Sequence, residues 1–490
     1  MDLGLISNLM LGFDTALSLQ NILYCTIGVT IGTLIGVLPG MGPVATVAML
    51  LPATYALPPT SALIMLAGIY YGASYGGSTT AILVNIPGEA SAVVTCLDGH
   101  MMAKRGRAGS ALGIAAIGSF FAGCVATLLI AAFAPPLTEL AFQFGPAEYF
   151  SLMVLGLVSA TVLATGSLLK AICMVLLGLL LGLIGTDVNS GAFRFTFGLD
   201  ELQDGIDFVP LSMGLFGFAE IMRNLEGNMS RSLVPNKVKN ILPSWQEIKV
   251  SVGPIVRGTA LGSILGVLPG GGALLSSFAS YTAEKKLAGD KADPPFGYGN
   301  IRGVAGPESA NNAGAQTSFV PMLTLGIPSN AVMALMIGAM MIHDIVPGPQ
   351  VMQSDPGLFW GLIISMWIGN LILVVLNLPM IGVWVQLLRV PYRWLFPAIL
   401  VFCCIGVYSI NAGYVFGKLG CETAPLVLGF ILGPMMEENL RRAMLLSRGD
   451  PSVFVSSPIS CGLLIAAVLM VFLVAAPAFR KTREVAFKED

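Results

Sequence analysis

Two stretches gather small polar side chains inside an otherwise apolar chain. YYGASYGGSTTAILVNIPGEAS at 70–91 carries Ser74, Ser78, Thr79, Thr80 and Asn85. GPESANNAGAQTSFVPMLTLGIPSN at 306–330 carries Asn311, Asn312, Gln316, Thr317, Ser318, Thr324, Ser329 and Asn330. Each closes on an Ile-Pro pair, at Pro87 and Pro328. Hydroxyls, amides and carbonyls freed at a helix break are ligands for Na+ and partners for carboxylate oxygens, and half-helix N-termini add positive potential for an anion. A second pair of breaks, Pro39-Gly40-Met41-Gly42-Pro43 and Pro269-Gly270-Gly271-Gly272, interrupts hydrophobic runs and frees backbone groups that must face protein, water or a ligand. Packing alone explains Gly, Ser or Thr at any single membrane position. Paired discontinuous segments at corresponding positions instead point to a transporter's midplane site, with Na+ at the helix breaks as the candidate cation.

Other chemistries find little support. Eight cysteines without a CxxC and two histidines, His100 and His343, argue against a transition-metal or redox centre. No GxxxxGK[ST] occurs, so ATP hydrolysis has no loop to use, and no Ser/His/Asp or Cys/His constellation supports nucleophilic catalysis. The chain is not expected to be an enzyme, nor to need a cofactor beyond a coupling Na+ or H+. Nothing suggests nucleic-acid binding. Glu308 is expected to cap a helix rather than carry a cation, and Asp98, at the start of the basic segment CLDGHMMAKRGRAG, is expected to be exposed.

The elements that position these residues must be membrane helices. The chain has 490 residues, 55% of them hydrophobic and only 11% charged, with mean hydropathy +0.82. Apolar runs near 61–84, 110–134, 149–169, 171–186, 357–379, 394–411 and 459–479 are too long and unbroken for barrel strands. An all-α, polytopic membrane protein follows. The N-terminus has no basic segment or small-residue cleavage site ahead of the first span, which predicts no cleaved signal peptide.

The chain is built twice. GTLIGVLPG at 32–40 returns as GSILGVLPG at 262–270, NIPGEASAV at 85–93 resembles GIPSNAVMA at 326–334, and GLLLGLIG at 178–185 resembles VLGFILGP at 427–434. Loop charge gives the orientation, because cytoplasmic loops collect Lys and Arg. Lys104, Arg105 and Arg107 follow the first Ile-Pro break while MIHDIVPGPQ has none. Lys285, Lys286 and Lys291 occupy a loop whose counterpart is uncharged, and Arg389 and Arg393 face an acidic counterpart. Two inverted-topology repeats follow, 1–225 and 251–480, joined by a cytoplasmic linker at 226–250 and trailed by a polar tail at 481–490. The basic tail, RKTREVAFKED, runs against this alternation.

GVLPGMGPVATVAMLLP, YYGASYGGSTTAILVNIPGE, GPESANNAGAQTSFVPMLTLGIPS and VLGFILGPMMEENLRRAM together resemble the large membrane subunit of the bacterial tripartite tricarboxylate transporters, the TctA family, over about residues 20 to 450. The resemblance implies a secondary transporter of the inner membrane that works with a small membrane subunit (TctB-like) and a periplasmic solute-binding protein (TctC-like). It implies organic-anion substrates, mainly di- and tricarboxylates such as citrate, and an elevator movement of the broken segments against a scaffold of plain spans. Where family members often read Gly after the second Ile-Pro, this chain has Ser329-Asn330. No Lys or Arg lies inside the polar stretches, so a carboxylate there needs helix dipoles, backbone N–H groups or a co-bound cation. The expected function is cation-coupled symport of an organic anion, with a channel or exporter on the same repeat as the alternative.

Overall fold

The computed structural model describes residues 3–38, 42–163, 167–187, 190–206, 208–218, 238, 241–268, 272–289, 292–387, 419 and 421–475. These are largely helical, as expected. The main helices are α1 (Leu3–Ala16), α2 (Leu19–Val37), α3 (Pro43–Leu50), α4 (Pro59–Val84), α5 (Ala108–Ala141), α6 (Pro146–Leu163) and α7 (Leu168–Gly182). There follow α8 (Trp245–Val267), α9 (Gly272–Ala288), α10 (Arg302–Thr317), α11 (Phe319–Leu325), α12 (Ala331–Ile342), α13 (Pro356–Asn377), α14 (Ala424–Leu446) and α15 (Pro458–Ala475). Among the described residues, α2, α5, α8 and α13 are both long and apolar enough to cross a membrane by length and composition.

The apolar run at 394–411, the tail at 481–490, Arg389, Arg393 and Lys291 lie outside the described residues, as does most of the linker. The linker's last residues are already helical. Ser244 caps α8 by accepting from the Glu247 N–H at 3.3 Å, and Glu247 reaches back to the Ser244 N–H at 2.7 Å, so the helix starts at Trp245 rather than after 250.

The repeated sequence folds into a repeated packing. Gly28, Gly32 and Gly36 on α2 lie against the backbone of Met65, Ile69 and Ala73 on α4. Gly258, Gly262 and Gly266 on α8, each 230 positions on, lie in the same way against Gly306, Ala310 and Gly314 on α10. A Cβ at Gly32 would run into the Ile69 carbonyl, and one at Gly262 into the Ala310 carbonyl. The missing side chains let backbones touch where lipid offers no hydrophobic drive for association.

Contact registers give helix directions. Ser119 meets Glu308 and Thr127 meets Gln316, so α5 and α10 run the same way. Gly123 lies on Asn370, and Ala116 shares a small pocket with Asn377, so α13 runs against α5. Thr60 approaches Gly361 and Tyr71 approaches Gly369, so α4 runs with α13. Hence α4 and α10 point in opposite directions.

A second group of helices, α6, α7, α14 and α15, packs largely on itself. Gly178 on α7 sits on the Leu426 backbone of α14, and Ser151 on α6 bonds Ser460 on α15 at 2.7 Å. A two-stranded hairpin, Gly185–Thr186 with Phe193–Arg194, follows α7. Arg194 and Arg441 hold Asp187 and Glu437, which ties the hairpin to α14. The plain spans α5 and α13 belong with the broken segments, so division into broken and plain helices does not follow the packing.

Candidate functional site

Most of the small polar residues serve the helices that carry them. The stretches 70–84 and 306–317 are regular helix, not unwound backbone; the longer breaks fall at 85–89 and 326–330, and a single turn residue, Ser318, separates α10 from α11. The reason is local. Ser74 donates to the Tyr70 carbonyl at 3.4 Å, Thr317 to Ala313 at 2.9 Å and Thr324 to Val320 at 2.8 Å, so these hydroxyls are satisfied one turn back. Thr80 donates to the Val37 carbonyl at 2.7 Å, closing the end of α2, and Ser329 donates to the Ser318 carbonyl at 3.2 Å. Gln316 accepts from Thr127 at 2.6 Å, and Asn312 donates to Ser119 at 2.7 Å and to Asn311 at 2.5 Å. Thr79 is buried beside a small pocket.

Asn85 stands apart from these. It ends α4 in the left-handed conformation at φ 60, a role its short amide tolerates, and its side chain is exposed. The breaks that follow hold Pro87 and Pro328.

What the fold brings together is a set of helix ends. A cavity of about 410 Å³ is bounded by the N-termini of α3, α9, α12 and α14. Gly42 precedes α3 and Pro43 is its first residue, with no side chain capping the free N–H groups of that turn. Gly272 opens α9 in the left-handed region at φ +49, where glycine is the favoured residue. Asn330 caps α12 by accepting from the Met333 N–H at 3.0 Å, and its amide donates to the Tyr70 hydroxyl at 3.3 Å. Glu89 and Ser91, hydrogen bonded to each other, complete the polar wall, while Leu215, Phe216 and Thr423 face it. Among the described residues no Lys or Arg lines it.

Of the residues expected to bind ligand, Gly42, Gly272 and Asn330 therefore line the cavity. Ser74, Ser78, Thr79, Thr80, Asn311, Asn312, Gln316, Thr317, Thr324 and Ser329 lie in buried contacts elsewhere, and Asn85 lies outside it. Pro39, Gly40, Gly270 and Gly271 fall outside the described residues. Tyr70, Glu89 and Ser91 were not singled out as ligands, although Glu89 beside Pro87 is the one acidic residue next to an Ile-Pro break and could have been.

Two expectations about acidic residues are overturned. Asp98 is fully buried, because its Oδ1 accepts from the backbone N–H groups of Gly297 at 2.9 Å, Gly299 at 2.8 Å and Asn300 at 2.7 Å, and Oδ2 from the Tyr281 hydroxyl at 3.0 Å. Four donors replace the water it loses. Glu308 is no terminal cap. It sits in the second turn of α10, wholly buried, and accepts from Ser78 of α4 and Thr95 of the turn that follows the first break.

Among the described residues no group of three or more His, Cys, Asp and Glu side chains could hold a metal ion. The lining sets free N–H groups at helix starts beside the buried carboxyl of Glu89. The chain matches the family model described as "Tripartite tricarboxylate transporter TctA family" over residues 22–446. It is 57% identical over 502 residues to a protein of Agrobacterium vitis named "Uncharacterized 52.8 kDa protein in TAR-I ttuC' 3'region", covering 100% of both chains. A second protein of that organism, "Uncharacterized protein in TAR-II ttuC' 3'region", is 57% identical over 243 residues, which is 47% of this chain and 100% of the relative. No solved structure matches. The chain belongs to the TctA family of tripartite tricarboxylate transporters and is a membrane transporter component, not an enzyme.

Proposed function

We propose that this chain is the substrate-translocating subunit of a binding-protein-dependent importer of the bacterial inner membrane, and that the cavity at the ends of α3, α9, α12 and α14 holds an organic anion carrying two or three carboxylates. The observation that carries this reading is the convergence of four helix N-termini, those of α3, α9, α12 and α14, on one cavity whose lining, among the described residues, has an acidic residue and no Lys or Arg. Each N-terminus contributes roughly half a positive charge, so the four supply about two. A dicarboxylate beside an ionised Glu89 brings three negative charges. The shortfall of roughly one charge has to be met by co-bound Na+ or by protons, since unpaired charge in low dielectric is prohibitively costly. Cation symport follows from that balance.

The opposed directions of α4 and α10, with glycine-lined packing repeated between α2/α4 and α8/α10, support inverted repeats. Segregation of α6, α7, α14 and α15 into a group of their own supports an elevator, in which that group is the scaffold and the remaining helices carry the cavity across the membrane. A small membrane subunit and a periplasmic solute-binding protein are the partners the family supplies. The test is uptake of labelled citrate and smaller dicarboxylates into proteoliposomes holding the chain with both partners. Saturable accumulation driven by a Na+ or H+ gradient is expected. Uptake indifferent to both gradients, or flux that never exceeds equilibration, would overturn the reading.

A further inference from the structure

Glu308 lies outside the anion cavity, and the cavity's charge balance does not use it. It is fully buried on α10 and touches both halves of the chain: Ser78 on α4 and Thr95 after the first break donate to its two carboxyl oxygens, and Asn311 approaches Oε2 at 3.5 Å. All three partners are neutral. Among the described residues, the ionisable groups facing it from the elements packed around α10 are Tyr75 on α4, Glu89 in the break and Cys96 in the turn beyond Thr95. None of these is a cation. An ion pair that packs against α10, Arg257 on α8 with Glu284 on α9 at 2.6 Å and 2.8 Å, is closed on itself against Gly306, and Asp98 beside Gly303 is held by its own four donors. On α5 the neighbour is the neutral Ser119.

Beside Glu308 there is space for water. A pocket of about 10 Å³ is lined on one side by Tyr75, Ser78, Thr79, Ser119 and Asn377 and on the other by Leu112, Ala115 and Ala116, a volume at the lower limit for one water molecule. The Asn377 side chain is 5% exposed, and its Oδ1 is buried with no hydrogen-bond partner. A buried acceptor left over beside a water-sized pocket that also holds two serine hydroxyls points to a donor that binds there. Ser78 belongs both to this pocket and to the carboxyl.

We infer that Glu308 is a proton-binding site of the transport cycle, loaded and unloaded through a single water held by Ser78, Ser119 and Asn377. The inference rests on the cation-coupled reading above and assigns one of its coupling ions. The hydrogen-bond set serves both protonation states. With the carboxylate ionised, the Ser78 hydroxyl donates to Oε2. On protonation Oε2 takes the Ser78 hydroxyl hydrogen while Ser78 Oγ takes one from the pocket water; the O–H on Oε2 then donates to Ser78 Oγ, and the Ser78 hydrogen turns to the Ser74 carbonyl at 3.3 Å. The water's lost proton is replaced from the aqueous phase, and release reverses each transfer. Because Ser78 and Glu308 sit on helices from different halves of the chain, the charge of Glu308 bears on how the two halves pack.

The test uses proteoliposomes and two readouts on the wild type and Glu308→Gln. Infrared difference spectra across a pH titration read the carbonyl stretch of a protonated carboxylic acid, which does not depend on substrate identity. Labelled citrate, as probe, reads equilibrium exchange and ΔpH-driven accumulation. The wild type is expected to show an acid carbonyl band that Glu308→Gln lacks. Its accumulation should rise about tenfold per pH unit for each coupled proton, while the variant exchanges without that response. If Glu308→Gln does not fold, Ser78→Ala must shift the same band. Identical spectra for wild type and Glu308→Gln, no band shift in Ser78→Ala, or an unchanged response to ΔpH in Glu308→Gln would overturn the inference. Citrate that fails to move in either protein counts against the substrate reading alone, because the band still decides Glu308.

Discussion

Asp98 offers the sharpest mechanical prediction, since one carboxylate oxygen holds three backbone donors of the segment that leads into α10. Asp98→Ala leaves the N–H groups of Gly297, Gly299 and Asn300 without their acceptor and frees the Tyr281 hydroxyl. Hydrogen bonds to a charged group contribute about 1.5–3 kcal/mol each. The three N–H groups share one oxygen on one loop, and water recovers part of the loss, so about 3 kcal/mol is expected for the set. At about 1.4 kcal/mol per factor of ten, local opening becomes roughly 150-fold more frequent. Hydrogen–deuterium exchange read by mass spectrometry on the peptide spanning 297–300 reports that opening directly. Asp98→Asn keeps an acceptor oxygen but not its charge, and should accelerate exchange by only about tenfold. Exchange in Asp98→Ala within about threefold of wild type would refute the reasoning, because protection would then come from packing rather than from the carboxylate.

Further expectations concern the packing and the cavity. Gly32→Ala and Gly262→Ala should each destabilise the protein by about 1–3 kcal/mol, because the added methyl meets backbone that cannot move aside. Gly42→Ala meets nothing within 4 Å and should unfold at the wild-type denaturant concentration. Asn330→Ala should cost about 1 kcal/mol through loss of the α12 cap. Asn330→Asp should keep the cap yet weaken anion binding by about tenfold, which equilibrium binding of labelled citrate or a dicarboxylate measures, because a negative charge then competes for the same helix end.

How much of this was legible in the sequence depends on what each residue answers to. The helices were readable because lipid forces long apolar runs, and the duplicated Gly-Pro lines did mark helix starts at Gly42 and Gly272 that open onto the cavity. Ser74, Thr317 and Thr324 misled because a hydroxyl in an apolar helix can satisfy itself on the carbonyl one turn back, which composition does not reveal. Asp98 misled for the opposite reason. It stands beside basic loop residues in sequence, but its partners lie about 200 positions away, and only the fold brings Gly297 to Asn300 against it. Tyr70 reads as one aromatic among many until Asn330 is placed 3.3 Å from its hydroxyl.

The central claim is that an organic anion sits where α3, α9, α12 and α14 begin, together with a coupling cation. Ala331, which follows the α12 cap and lines the cavity, gives the most direct access to it. In Ala331→Cys, made in a background where the eight native cysteines are replaced by serine or alanine, the rate of modification by a charged thiol reagent is measured with and without a di- or tricarboxylate. The account predicts that the transported anion slows modification, and does so only when Na+ or a lowered pH supplies the cation. Modification that is equally fast with and without a carboxylate the transporter accumulates would place the substrate elsewhere and contradict the account.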